Sequence, residues 1–227
     1  MDKAGISNVG AAERGRTLLF DFDNTLYTNR RMAEHQADVL YRFVAEKTGL
    51  SLEEAKRSFD ERLRKFAQQF GVPVSRSWGI PIWYASGAEW NAYRDEHIAA
   101  RGYLERDERL IAVFERLRSQ RFDLAVASNS PQKFIREALG LLGIEAKVVS
   151  SDLVHAFKPS IDFFWLATHH LEVQPEACIS IGDRDCDISP ANALGIRGIR
   201  VRSVQDVYHI DDYIQRLDKS GETNLLL

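Results

Sequence analysis

Cysteine is nearly absent from this chain of 227 residues: only Cys178 and Cys186 occur, in neither a CxxC nor a zinc-ligand pattern. Such usage argues against a disulfide scaffold and for free thiols in a reducing compartment. Cys186 stands between Asp185 and Asp187, whose charges oppose thiolate formation, so an inert small side chain is expected there. No apolar run approaches the length of a membrane span. The first 16 residues mix Gly, Asn, Glu and Arg without the apolar stretch of a signal peptide, and read as a flexible leader on a cytoplasmic protein with no membrane partner. A basic footprint is missing too: the net charge is -3 and the pI about 6.1, which does not support a nucleic-acid polymer as partner. The six histidines have no metal-like spacing, and His169-His170 falls within an expected helix.

What is present suits a globular enzyme. Hydrophobic residues at 44% and charged residues at 28% permit a sizeable core, and the length suits one large α/β domain or a core carrying a smaller inserted unit. Thr17-Leu18-Leu19-Phe20 predicts a buried first strand, over 17–22. Ala33, Ala37, Leu40, Tyr41 and Val44 then recur at helical spacing until Gly49. Ser51 with Glu54 marks the start of a second helix, whose stripe runs Leu52, Ala55, Phe59, Leu63, Phe66, Phe70 and ends at Gly71-Val72-Pro73. Residues 72–87 hold Pro73, Trp78, Pro81, Trp83 and Tyr84 with little periodicity and read as an aromatic loop, a lid lining a pocket or, as aromatics more often are, simple core, followed by a helix over 88–100.

From about residue 106 helices and strands alternate. Helices are expected over 107–120, 131–142, 160–171 and 188–194, and strands over 122–127, 146–149, 177–181 and 199–201. That alternation predicts βαβ units and a parallel sheet covered on both faces. The expected fold is therefore α/β: a Rossmann-like parallel sheet core (17–28 and 106–227) with an α-helical cap (29–105) inserted after the first strand, behind the leader at 1–16.

In an open parallel sheet, ligands gather beyond the carboxyl ends of the strands. Asp21 and Asp23 follow the first expected strand, Ser128-Asn129-Ser130 follows 122–127, and Gly182-Asp183-Arg184-Asp185-Cys186-Asp187 follows 177–181. Lys158-Pro159 immediately precedes a helix. Each piece has a plain alternative: an Asx-capped turn at Asp23-Asn24 with Asp21 solvated, a helix N-terminus at Ser128 to Pro131, a surface lysine at 158. Taken together, the residue types suit phosphoryl transfer from a monoester. A carboxylate attacking a phosphate dianion meets like-charge repulsion, so the site must supply a divalent cation and a fixed positive group. Asp183 and Asp187 with Asp21 offer Mg²⁺ the oxygen ligands a hard cation takes. Lys158 would neutralise remaining charge, Ser128 and the backbone N–H of Asn129 would hold phosphoryl oxygens, and Asp23 is left for proton transfer.

The ordered set Asp21-Phe22-Asp23-Asn24-Thr25, Ser128, Lys158-Pro159 and Gly182-Asp183 with Asp187 resembles the four motifs of the haloacid dehalogenase superfamily, the aspartate-dependent phosphohydrolases. The match spans residues 17 to about 202. The resemblance implies Asp21 as nucleophile forming an aspartyl-phosphate, Asp23 as general acid and then base, and Thr25 as support of the loop. It implies Mg²⁺ held by the Asp21 side chain, the Asp23 backbone carbonyl and Asp183, with Asp187 a direct or water-mediated ligand. The acid at Asp23 favours phosphatase over dehalogenase, because releasing an alkoxide needs a proton and releasing a halide does not. Asp21 to Tyr27, Asp-Phe-Asp-Asn-Thr-Leu-Tyr, resembles the opening of the pyrimidine 5′-nucleotidase-like branch. Ser160-Ile161 in place of a second proline after Lys158, and the bulky His155 and Phe157 before it, depart from the wider pattern.

The expectation is thus a Mg²⁺-dependent phosphomonoester hydrolase, a monomer or homodimer, acting on a small phosphorylated metabolite, with a pyrimidine nucleoside 5′-monophosphate as one candidate. Alternatives within the superfamily are a sugar phosphomutase and a phosphoglycolate-type phosphatase. Outside it stand a phospho-receiver, which shares the acids, the lysine and Mg²⁺ but has no place for a cap, and a non-catalytic binding module. Specificity should reside in the cap, where Trp78, Trp83 and Tyr84 are candidates for stacking and Arg76 or Arg94 for a polar arm.

Overall fold

A computed structural model describes residues 16–70 and 76–227; the leader expected at 1–16, Arg16 apart, and the helix stop at Gly71-Val72-Pro73 lie outside the described residues. Strand β1 (Thr17–Phe20) leads into four helices: α1 (Arg30–Thr48), α2 (Leu52–Phe70), α3 (Arg76–Trp83) and α4 (Gly87–His97). Then follow α5 (Glu108–Ser119), β2 (Asp123–Ser128), α6 (Gln132–Leu142), β3 (Lys147–Ser150), α7 (Ser151–Val154) and α8 (Ile161–Leu171). The chain closes with β4 (Cys178–Gly182), α9 (Asp185–Asn192), β5 (Arg197–Arg200), α10 (Val204–Val207), α11 (Ile210–Ser220) and β6 (Asn224–Leu226).

The six strands form one sheet in the order β3-β2-β1-β4-β5-β6, every pair parallel. β1 is central and wholly buried, and side-chain alternation sends its residues to opposite faces. Leu18 and Phe20 join the larger core with Phe114, whereas Leu19 joins a second core with Phe163 and Phe164 of α8. This two-sided burial is why the strand reads as a continuous apolar run. β1 lies between β2 and β4, so chain connections leave in opposite directions on its two sides and open a crevice at the carboxyl ends of β1 and β4.

The helical block after β1 has firm local signals. Asn29 Oδ1 caps α1 by accepting the Met32 N–H at 3.0 Å, and Gly49 ends it with a left-handed φ of 70°. Ser51 and Glu54 bond reciprocally at the start of α2, and Ser86 and Glu89 do the same for α4. α1 packs on α2 and α4.

Two expectations need correction, and one stretch adds elements where none was expected. Residues 76–83 of the expected aromatic loop are the helix α3, which accommodates Pro81. The helix expected over 188–194 begins at Asp185, putting Asp185 and Asp187 in its first turn. The chain beyond 201 adds α10, α11 and a sixth strand.

Candidate active site

Asp21 follows β1 directly, and its backbone N–H donates to the carbonyl of Ile181 at 2.7 Å, fastening it beside β4. The following turn closes through bonds from the Thr25 and Leu26 N–H groups to the Phe22 carbonyl, with Asn24 at a left-handed φ of 62° that asparagine tolerates. The helix cap is Asn29, and Asp21 is only 9% exposed, so the solvated Asx-turn alternative fails.

The Lys158 ammonium is buried between two carboxylates, 2.6 Å from Asp21 Oδ1 and 2.5 Å from Asp187 Oδ1. Thr25 Oγ1 donates to Asp21 Oδ2 at 3.3 Å. The other Asp187 oxygen accepts the Arg184 N–H at 3.1 Å, while Ser180 donates to the Asp187 carbonyl at 2.7 Å. Gly182 permits this approach, because a Cβ there would come within 2.5 Å of Asp187 Oδ2. Asp183, at the end of β4, completes the cluster. One oxygen each from Asp21, Asp183 and Asp187 lie within 4.8 Å of one another.

Three carboxylates share the Lys158 ammonium and the Arg184 guanidinium, the latter 3.5 Å from Asp183 Oδ2, which still leaves surplus negative charge in a buried place. Burial raises the Asp21 carboxyl to about 7, Asp187 and Asp183 adding to the rise while Lys158 opposes it. Asp183 is raised as well, by burial above all. For Lys158, burial disfavours the charged form, but Asp187 and Asp21 outweigh it and hold the ammonium well above its ordinary range. Asp183 Oδ1 is buried and, among the described residues, without a hydrogen-bond partner. An all-oxygen donor set, surplus negative charge and an orphaned carboxylate oxygen fit a hard divalent cation.

Asp23 lies apart from this cluster. Its Oδ1 accepts from the Tyr27 hydroxyl and, at 2.9 Å, from the Gln36 amide of α1; its Oδ2 accepts the Ser130 hydroxyl at 2.6 Å. Ser130 Oγ in turn accepts from Arg94 of α4 at 2.8 Å, and the same guanidinium donates to the Asn129 carbonyl at 3.0 Å.

Ser128 is buried at the end of β2, its Oγ accepting the Ser130 N–H at 3.1 Å. The capping alternative for Ser128 to Pro131 also fails. Pro131 occupies the cap position of α6, and the Asp152 carboxylate receives the Gln132 N–H at 3.0 Å. The Asn129 side chain accepts the Lys158 N–H at 2.7 Å and donates to the Lys158 carbonyl at 2.9 Å.

All seven residues singled out in the sequence, Asp21, Asp23, Ser128, Asn129, Lys158, Asp183 and Asp187, line one cavity of about 150 Å³ at the crevice between β1 and β4. Gln36, Arg76, Trp90, Arg94 and Ser130 line it as well. Trp83 and Tyr84, candidates for stacking on substrate, pack around Phe59, and Trp78 packs against Phe66, which is the plain core reading of these aromatics. The aromatic in the lining is Trp90. Sequence reasoning passed over Ser130, Gln36 and Tyr27 as partners of Asp23. Tyr27 alone carried a signal, standing four residues beyond Asp23 in the same motif.

The sequence model of the haloacid dehalogenase-like hydrolases matches residues 18–201. The chain is 30% identical over 200 residues to a glyceraldehyde 3-phosphate phosphatase of Methanopyrus kandleri, covering 82% of this chain and 84% of that one. It is 27% identical over 109 residues to a chloroplastic 5-amino-6-(5-phospho-D-ribitylamino)uracil phosphatase of Arabidopsis thaliana, covering 45% of this chain and 29% of the relative. A solved HAD phosphatase from Thermococcus onnurineus shares the fold with a TM-score of 0.53 at 19% identity, covering 86% of this chain and 97% of that one.

Proposed function

The chain belongs to the haloacid dehalogenase-like hydrolase family and is a phosphatase, and from that premise we propose that it hydrolyses small phosphate monoesters through an aspartyl-phosphate on Asp21. The observation that carries the reading is the division of labour between two acids two residues apart. Asp21 is buried against Lys158 in a cation-ready carboxylate cluster, while Asp23 is held separately by neutral hydroxyl and amide donors.

In the first step an Asp21 carboxylate oxygen attacks phosphorus, the ester P–O bond breaks with its electron pair passing to the leaving oxygen, and Asp23 supplies that oxygen's proton. In the second, Asp23 takes a proton from water as the water oxygen attacks phosphorus and the Asp21 carboxylate departs. Lys158 offsets charge beside Asp21, and Ser128 with the Asn129 N–H receives the phosphoryl oxygens. Mg²⁺, held by Asp21, Asp183, Asp187 and the Asp23 carbonyl, would supply the charge neutralisation that lets an anion approach a phosphate dianion.

The helices α1 to α4, within residues 29–105, serve as a cap over this cavity. Gln36, Arg76, Trp90 and Arg94 bring their side chains to its wall, which supports substrate selection by that block. The cavity is about half the volume of the smallest common ligand pockets and favours esters of short carbon chains over nucleotides. The curated relative acting on glyceraldehyde 3-phosphate points the same way.

A Mg²⁺-supplemented panel of triose phosphates, phosphoglycolate, sugar phosphates and nucleoside monophosphates tests this. Phosphate release concentrated on the short-chain esters and abolished in Asp21→Asn is the expected result. Preference for pyrimidine monophosphates would move the assignment to the nucleotidase-like branch, isomerised product without phosphate release would make the protein a mutase, and no turnover would defeat the reading.

A further inference from the structure

Among the described residues the side chain of Asp23 receives three hydrogen bonds, and they fall unevenly on its two oxygens. Oδ1 accepts from Tyr27 and from Gln36, which occupies both of its lone pairs. Oδ2 accepts from Ser130 alone among these residues, at 2.6 Å, and retains one site. Any proton that Asp23 exchanges with a leaving group or a water is therefore handled at Oδ2.

The direction of the Ser130 bond is fixed by a second contact. Arg94 approaches Ser130 Oγ at 2.8 Å, and a guanidinium has no acceptor, so arginine donates there. The single hydroxyl proton of Ser130 is left to point at Asp23 Oδ2. Arg94 is 5% exposed, and its other terminal nitrogen donates to the Asn129 carbonyl at 3.0 Å, which fastens α4 to the segment following β2. Among the described residues no carboxylate lies within 4.0 Å of its nitrogens, so the contacts that aim it are the hydroxyl, the carbonyl and the Trp90 ring, whose centre lies 5.5 Å from the guanidinium carbon.

We infer that Ser130 and Arg94 are positioning residues for the proton transfer made by Asp23, with Oδ2 as the working oxygen; this rests on the phosphatase reading above. Arg94 orients Ser130, and Ser130 orients the open site of Oδ2 toward the cavity that all three line. Because Arg94 comes from α4 and Ser130 from the core strand end, the acid is correctly aimed only while the helical block is seated.

Two esters of similar size separate this role from general support. p-Nitrophenolate leaves without needing a proton at neutral pH, whereas phenolate resembles the tyrosine side chain, with a pKa of about 10, and needs one. kcat/KM reports the first chemical step for both. Asp23→Asn sets the benchmark by losing far more with phenyl phosphate than with p-nitrophenyl phosphate. Ser130→Ala and Arg94→Met are expected to lower the phenyl to p-nitrophenyl ratio of kcat/KM about tenfold or more, with Ser130→Thr restoring it. Equal losses on both esters, or no losses, would overturn the inference, and either variant suffices if the other does not fold. Wild-type protein that hydrolyses neither ester, or an Asp23→Asn variant that loses equally on both, would instead remove the phosphatase mechanism on which the inference stands.

Discussion

The side chain of Asn129 holds the backbone of Lys158 at both ends, accepting its N–H at 2.7 Å and donating to its carbonyl at 2.9 Å. The loop carrying the buried lysine is thereby pinned to the end of β2, and the Lys158 ammonium falls between Asp21 and Asp187. Asn129→Ala removes both bonds. A displacement of order 1 Å at a reacting site costs about 100-fold, and a kcat loss of that order is expected with the fold retained. Steady-state kinetics beside a circular dichroism spectrum check it; wild-type kcat would show that Lys158 holds its place without Asn129.

Gly182 and Asp187 make a second tight pair. Gly182→Ala would drive a methyl into the Asp187 side chain, which cannot retreat because Lys158 and the Arg184 N–H hold it. Overpacking of this kind costs about 1–3 kcal/mol. A lowered thermal midpoint together with lost phosphatase activity is expected, and an unchanged midpoint would contradict the packing described.

Lys158→Met removes the one ammonium among three carboxylates. Breaking a buried ion pair from one side costs about 3–5 kcal/mol, so the urea midpoint should fall accordingly in divalent-free buffer. Added Mg²⁺ should recover more stability in the variant than in the wild type, because a cation then has more surplus charge to offset. Identical unfolding curves would show that the acids are not charged against Lys158.

The two thiols should be silent. Burial pushes Cys178 up to about 12, and burial with the nearby Asp187 does the same for Cys186. A raised pKa keeps a thiol protonated until the pH approaches it, leaving roughly 1 in 10,000 as thiolate at pH 8. A thiol-reactive dye should label neither cysteine in the folded protein and both after denaturation. Rapid labelling of the native protein would contradict this.

Asp21, Asp183 and Asp187 were legible because acids just beyond apolar strands have few other uses, and Lys158, ahead of a helix and by itself readable as a surface lysine, because the order of the pieces along the chain joined it to them. Gln36 was not, and Arg94 stood out only as a candidate substrate arm. Gln36 reaches Asp23 from α1, and Arg94 reaches Ser130 and the Asn129 carbonyl from α4; nothing local in a helix marks which polar side chain will turn toward a distant loop. Ser130 was visible only as part of a helix start, a role taken instead by Asp152. The helix α3 was hidden by Pro81, which reads as a breaker. β6 was hidden by its length, since Asn224–Leu226 is a short edge strand with too few residues to show alternation.

The central claim is that Asp21 carries the phosphoryl group, and trapping that intermediate tests it most directly. Asp23→Asn should let the aspartyl-phosphate form from p-nitrophenyl phosphate while slowing its hydrolysis. Borohydride reduces an acyl phosphate to the alcohol, converting the aspartate to homoserine, which peptide mass spectrometry locates. Conversion at Asp21, dependent on substrate and on Mg²⁺, is the predicted result. Conversion at another aspartate, or none while phosphate is still released, would contradict the account.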